Sequence, residues 1–146
     1  MLSLTKSMRK ASYFLILIFL VNIVGFYYSW YLNYFWFDMT LHFLGGFFIA
    51  MLMANYLSEY FANKNNLKNL LIIVGVTVFI GVAWEFAEYI ANQTLIEPVY
   101  KYFKIRAYFM GDFDDTVNDL LMDILGATLF ANIYLHSFRS REPHQA

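Results

Sequence analysis

Gly111-Asp112-Phe113-Asp114-Asp115-Thr116-Val117-Asn118-Asp119-Leu120-Leu121-Met122-Asp123-Ile124-Leu125-Gly126-Ala127 is the stretch that decides the fold. Five aspartates fall within residues 112–123, and Asp115, Asp119 and Asp123 recur at every fourth position. On a helix that spacing stacks three carboxylates on one face. The segment then continues without a break into apolar sequence at residues 124–135. A charged carboxylate at the centre of a membrane helix costs on the order of 2.5–3.5 kcal/mol on insertion scales. An acidic face that enters an apolar helix therefore needs partners from elsewhere in the chain.

Composition says what surrounds that helix. The 146 residues are 60% hydrophobic and 14% charged, with a mean hydropathy of +0.49, which fits a polytopic membrane protein. A single composition regime predicts one domain over 1–146. The net charge of −1 excludes nucleic acid as an expected partner. With no cysteine there are no disulfides, thiolate metal sites or cysteine nucleophiles.

Four apolar segments predict an all-α architecture with transmembrane helices at about 11–31, 38–59, 69–91 and 115–136. Lys6, Arg9 and Lys10 precede the first. That pattern resembles a signal peptide, but its far flank is bulky and aromatic, so an uncleaved first helix is expected. Tyr27, Tyr28, Trp30, Tyr31, Tyr34 and Trp36 read as an interfacial belt. Asp38 and Asp115 read as helix caps. Between the third and fourth helices, Lys101, Lys104 and Arg106 alternate with aromatics, which predicts a short interfacial helix. Lysine and arginine are more numerous at the two termini and in the 59–69 loop than in the other connections. Both termini are therefore placed in the cytoplasm of a multi-pass cell-membrane protein.

This topology gathers eight of the eleven acids at one depth. Asp38 and His42 stand at the outer end of the second helix, Glu85 and Glu88 at that of the third. Asp112, Asp114, Asp115, Asp119 and Asp123 stand at that of the fourth. Within each helix the spacing is i,i+3 or i,i+4, and each acidic face is followed inward by a glycine: Gly45 (with Gly46 beside it), Gly81 and Gly126. These glycines are expected to let the helices approach below the cluster. Carboxylates with one imidazole suit Mg²⁺, Mn²⁺ or Zn²⁺. The expected metal ligands are Asp38, His42, Glu85, Glu88, Asp119 and Asp123, with Glu85, Glu88 and Asp119 also placed for acid–base work. A purely structural network of the same groups is the competing reading.

Three motifs carry a resemblance. They are Phe37-Asp38-Met39-Thr40-Leu41-His42-Phe43 with Gly45-Gly46, then Ala83-Trp84-Glu85-Phe86-Ala87-Glu88, then Asp114-Asp115-Thr116-Val117-Asn118-Asp119-Leu120 leading to Gly126-Ala127. In this order they resemble YjdF-like inner-membrane proteins and, more distantly, VanZ-like proteins. The resemblance spans about residues 36–130 and implies a small integral membrane protein with paired helices. The VanZ-like side implies a link to reduced susceptibility to teicoplanin-type antibiotics. Three functions follow as expectations. The first is a metal-dependent activity on a lipid or cell-envelope precursor at the outer leaflet, with Lys101, Lys104 and Arg106 holding an anionic headgroup. The second is a non-enzymatic envelope protein. The third is a cation- or proton-linked transporter, ranked last because the acids lie on one side only.

Overall fold

The computed structural model describes residues 2–61 and 65–139, all of whose regular structure is helical. Lys64, Arg141 and Glu142, which carry part of the loop and C-terminal charge, lie outside the described residues. Helix α1 spans Leu2–Tyr27, α2 is one turn at Trp30–Asn33, and α3 spans Trp36–Tyr56. After a 3-10 turn at Ser58–Tyr60 come α4 at Asn66–Thr94, α5 at Ile96–Phe103 and α6 at Phe113–Arg139. Four of these are long and apolar enough to cross a membrane: Lys6–Tyr27, Trp36–Tyr56, Asn66–Thr94 and Phe113–Ser137.

The helix starts differ from the sequence expectation, for a local reason. Asp38 is not a cap: α3 begins two residues earlier, at Trp36, and Asp38 sits in its first turn without a capping bond. Asp115 is not the cap of α6 either. The carboxylate of Asp112 accepts the Asp115 backbone N–H at 3.1 Å, so the chain turns one step earlier and Asp115 falls inside the helix. At α4 the Asn65 side chain accepts the Lys68 N–H at 3.0 Å and sets the start at Asn66. The starts of α3 and α6 carry no clear local mark, because aromatic residues such as Trp36 and Phe113 continue a helix as readily as they precede one.

Helix α3 is the centre of the bundle. It packs along α6 most extensively, and also against α1 and α4; α4 in turn packs on α6. The buried stripe of α4 is Asn69, Ile73, Thr77, Gly81, Glu85 and Glu88, steps of four and then three that hold one face toward its neighbours. At one end the interface is dry. Ala50, Ala54, Ile73, Ala127, Phe130 and Ala131 form the apolar core, with Phe47 edge-on to Phe130 and Tyr134 stacked on it. Small side chains here bring the helices close enough for dispersion contacts to hold them in lipid.

The close approach continues toward the other end through glycine. A Cβ on Gly46 would meet the backbone of Asp123, with the Asp123 Cα 2.8 Å away. A Cβ on Gly126 would meet the Phe43 carbonyl, with the Phe47 N 2.9 Å away. At Gly81 it would meet the Asp123 carboxylate. Gly45 departs from expectation: a Cβ there would have nothing within 4 Å. Successive helical residues point about 100° apart, so of the adjacent pair only Gly46 can face α6.

Candidate functional site

The glycine contacts deliver the polar stripes of three helices to one place. Asp119 and Asp123 come from α6, Glu85 and Glu88 from α4, and Asp38 and His42 from α3. Five of the six are buried; Asp119 is 2% exposed and Asp123 4%. Asp38 is partly buried. Of the outer aspartates, Asp112 and Asp114 are exposed and Asp115 is partly buried, so the acidic stretch divides into a wet rim and a dry interior.

His42 is the hub. Its Nε2 lies 3.8 Å from Asp38 Oδ1 and 3.8 Å from Glu85 Oε1, and its Nδ1 lies 3.5 Å from Asp123 Oδ2. These separations exceed the roughly 2.7–3.2 Å of a good N–H···O bond. Among the described residues, every ion pair within 4.0 Å has His42 as its cationic partner. Two groups have ligand atoms lying within 4.8 Å of one another: Asp38, His42 and Asp119, and His42, Glu85 and Glu88. Donors that share an ion at bond lengths of about 2.0–2.6 Å stand at most about 4–5 Å apart, so both groups have the right scale.

The hydrogen bonds available to these acids leave a deficit. Glu88 Oε1 accepts the Trp84 indole N–H at 2.8 Å. Glu85 Oε1, Asp119 Oδ1 and Asp123 Oδ2 are fully buried with no hydrogen-bond partner. Orphaned carboxylate oxygens in a dry interior are costly, and the cost is removed by a proton or a cation. Asp123 belongs to neither ligand group. It was expected as a ligand, yet it faces Nδ1, away from the Nε2 that looks toward Asp38 and Glu85. Wedged against Gly46 and Gly81, it can hold the imidazole by its far nitrogen, as a carboxylate behind a metal-bound histidine does.

Sequence reading missed Tyr31, which it assigned to the aromatic belt. The ring is pinned between Phe26 at 4.7 Å and Phe37 at 5.1 Å, and its hydroxyl is buried without a partner. Burial pushes its pKa well above the usual phenol value, and the nearby charges of Asp38, Glu88 and Asp119 push it further. Tyr108, on the loop before α6, is likewise raised by burial and by Asp115, Asp112 and Asp38. Phe109 of the same loop packs on Phe26, 4.9 Å between centroids. No spacing signal distinguishes Tyr31 from its aromatic neighbours, because α2 is a single turn.

The expected headgroup residues are not part of this cluster. Helix α5 exists as anticipated, but Lys101, Lys104 and Arg106 are exposed. Lys101 lies over the Tyr102 ring and Lys104 over the Tyr100 ring, each at 5.7 Å. Asn22, the lone polar residue of the first span, is buried and lines a cleft of about 540 Å³ between α1 and α4 that opens onto Asp38, His42 and Asp123.

Four apolar spans around a buried carboxylate–imidazole cluster define a multi-pass α-helical membrane protein. The chain belongs to the family described as predicted membrane protein DUF2238, whose model matches residues 3–140. It is similar to an uncharacterised protein of Thermotoga maritima, 30% identical over 130 residues, which cover 88% of this chain and 60% of that protein. The chain thus spans about 60% of the length of this relative. No solved structure matches.

Proposed function

We propose that the cluster binds a divalent metal, Mg²⁺, Mn²⁺ or Zn²⁺, and supports a reaction on a lipid or cell-envelope precursor. The observation that carries this reading is Asp119. It is 2% exposed, its Oδ1 has no partner, and its ligand atom lies within 4.8 Å of those of Asp38 and His42. His42 with Asp38 and Asp119, or with Glu85 and Glu88, offers an oxygen-rich donor set with one nitrogen, suited to hard or borderline cations. Asp123 Oδ2, 3.5 Å from Nδ1, is placed to orient His42 once that nitrogen carries a proton. When bound, such an ion supplies Lewis-acid polarisation and activation of water. Glu85 or Glu88, whichever the ion leaves uncoordinated, is placed to accept and return a proton.

The charge bias of the loops supports the outer, extracytoplasmic side of the cytoplasmic membrane as the location of the cluster. The motifs at 37–43, 83–88 and 114–127 support reading the chain as a YjdF-like member of its family, with VanZ-like proteins as more distant kin. A non-enzymatic role, in which the cluster is a helix-joining or partner-binding network, draws on one observation. The Trp84–Glu88 bond already satisfies one carboxylate oxygen from within the fold.

The test is metal content and calorimetry on the purified full chain. The metal reading expects stoichiometric binding that weakens as pH falls, since protons compete for the carboxylates and the imidazole. Glu85→Gln and Asp119→Asn are each expected to weaken it by about 100-fold or more, beyond the 10–100-fold typical of changes behind the ligands. Metal-free protein whose stability neither substitution alters would sink the proposal.

A further inference from the structure

The cleft beside the cluster has a shape and lining that the metal reading does not explain. Its walls are α1, through Leu15, Ile18 and Phe19, and α4, through Ile80, Ala83 and Trp84. Its floor is α3, from Asp38 to Met53. The fifteen helical steps from Asp38 to Met53 rise about 22 Å, most of the roughly 30 Å hydrocarbon thickness of a bilayer. Helices α1 and α4 do not pack on each other along their lengths; α1 packs on α3, and α4 on α3 and α6. One aromatic contact bridges the gap: Phe19 meets the Trp84 ring edge-on, with centroids 6.5 Å apart. Trp84 also donates its N–H to Glu88, so the bridge is tied to the cluster.

Polarity within the cleft is one-sided. Asp38, His42 and Asp123 line it where it meets the cluster, with Asn22 on the α1 wall, and the rest of the lining is apolar or glycine. Gly45 keeps this space open one turn below His42, which accounts for a glycine that makes no close approach. At about 540 Å³ the cleft lies within the range of small-molecule sites, about 300–1,000 Å³. A long apolar slot parallel to the bilayer normal, ending at a buried cation-binding cluster, matches an amphiphile with one hydrocarbon chain and an anionic head.

We infer that the α1–α4 cleft is the binding site for the hydrocarbon chain of a membrane lipid phosphate, placing the phosphate at the Asp38–His42 end. This rests on the metal reading in one respect: the carboxylates repel a phosphate unless a divalent ion bridges them. The lipid enters sideways from the bilayer, past Phe19 and Trp84. Lys101, Lys104 and Arg106 are not needed to hold it.

The experiment uses the full chain in nanodiscs with Mn²⁺ and hexadecyl phosphate carrying a diazirine in its chain, with cross-links mapped by mass spectrometry. Labelling is expected on cleft residues of α1, α3 and α4. Unmodified hexadecyl phosphate should compete for it, and hexadecanol should not. Gly45→Leu fills open space next to His42, and Ala87→Leu narrows the α4 wall from an exposed position. Each is expected to cut labelling tenfold or more while Mn²⁺ binding, read separately by calorimetry, stays unchanged. Labelling spread evenly over lipid-facing helix surfaces, competition by hexadecanol equal to that by the phosphate, or full labelling in both variants would each overturn the inference. If Mn²⁺ binds but the cleft is not labelled, the lipid assignment fails and the metal reading stands. Competable cleft labelling that needs no Mn²⁺ would overturn both the metal reading and the placement of the phosphate at the Asp38–His42 end.

Discussion

Helices α3 and α6 run together for most of their length, yet the two ends of their interface are chemically opposite. Toward one end Ala50, Ala54, Ala127 and Ala131 meet with Ile73 and Phe130, and no polar side chain among these six needs a partner. Toward the other end Gly46 and Gly126 make a close approach around Asp119, Asp123 and His42, with carboxylate oxygens left unpaired. The apolar end shows that this sequence can join the helices by packing alone. Replacing buried ionic groups by well-packed apolar ones is often neutral or stabilising, so the polar end is weakly explained by stability. The contrast points to a ligand at one end and to cohesion at the other.

The comparison can be broken first at its glycines. Gly126→Ala places a methyl against the α3 backbone and is expected to cost about 1–3 kcal/mol, the usual range for overpacking. Gly45→Ala, which meets nothing within 4 Å, is expected to leave thermal stability unchanged or slightly raised. Thermal unfolding of the two variants in one detergent compares them directly, and equal losses would remove the claim that Gly126 is closely packed where Gly45 is not.

A smaller effect is expected at Asp123. If it orients His42 rather than binding the ion, Asp123→Asn weakens metal binding by about 10–100-fold, less than Asp119→Asn. Equal losses at the two positions, measured by calorimetry, would make Asp123 a ligand. The smallest effect concerns Tyr31. Burial first, and then the neighbouring carboxylates, hold its phenol protonated above the range where ordinary tyrosines ionise. Tyr31→Phe should therefore leave the alkaline absorbance change of the native protein unaltered up to pH about 11, because a raised pKa keeps the group neutral as ordinary tyrosines titrate near 10. A lower amplitude in the variant would show Tyr31 exposed to water.

Much of this was legible in the residues. Apolar runs of spanning length marked four helices, and i,i+3 and i,i+4 spacings carried Asp38, His42, Glu85, Glu88, Asp119 and Asp123 to one end. The cost of buried charge separated Asp119 and Asp123 from the exposed Asp112 and Asp114. What was not legible depended on angles and on contacts between distant segments. Period alone does not choose between Gly45 and Gly46, or between Asp112 and Asp115 as a cap. Nothing local reveals that α1 and α4 leave a cleft between them, nor that the single turn of α2 brings the Tyr31 hydroxyl among the acids.

The central claim is that a metal sits on His42 with carboxylates around it. Pulsed electron paramagnetic resonance of the Mn²⁺-loaded full chain tests it most directly. The account predicts hyperfine coupling to one directly bound imidazole nitrogen, lost in His42→Gln while the helical content is kept. Bound Mn²⁺ with no nitrogen coupling, or coupling that survives His42→Gln, would contradict it and move the ion to the exposed aspartates at the rim.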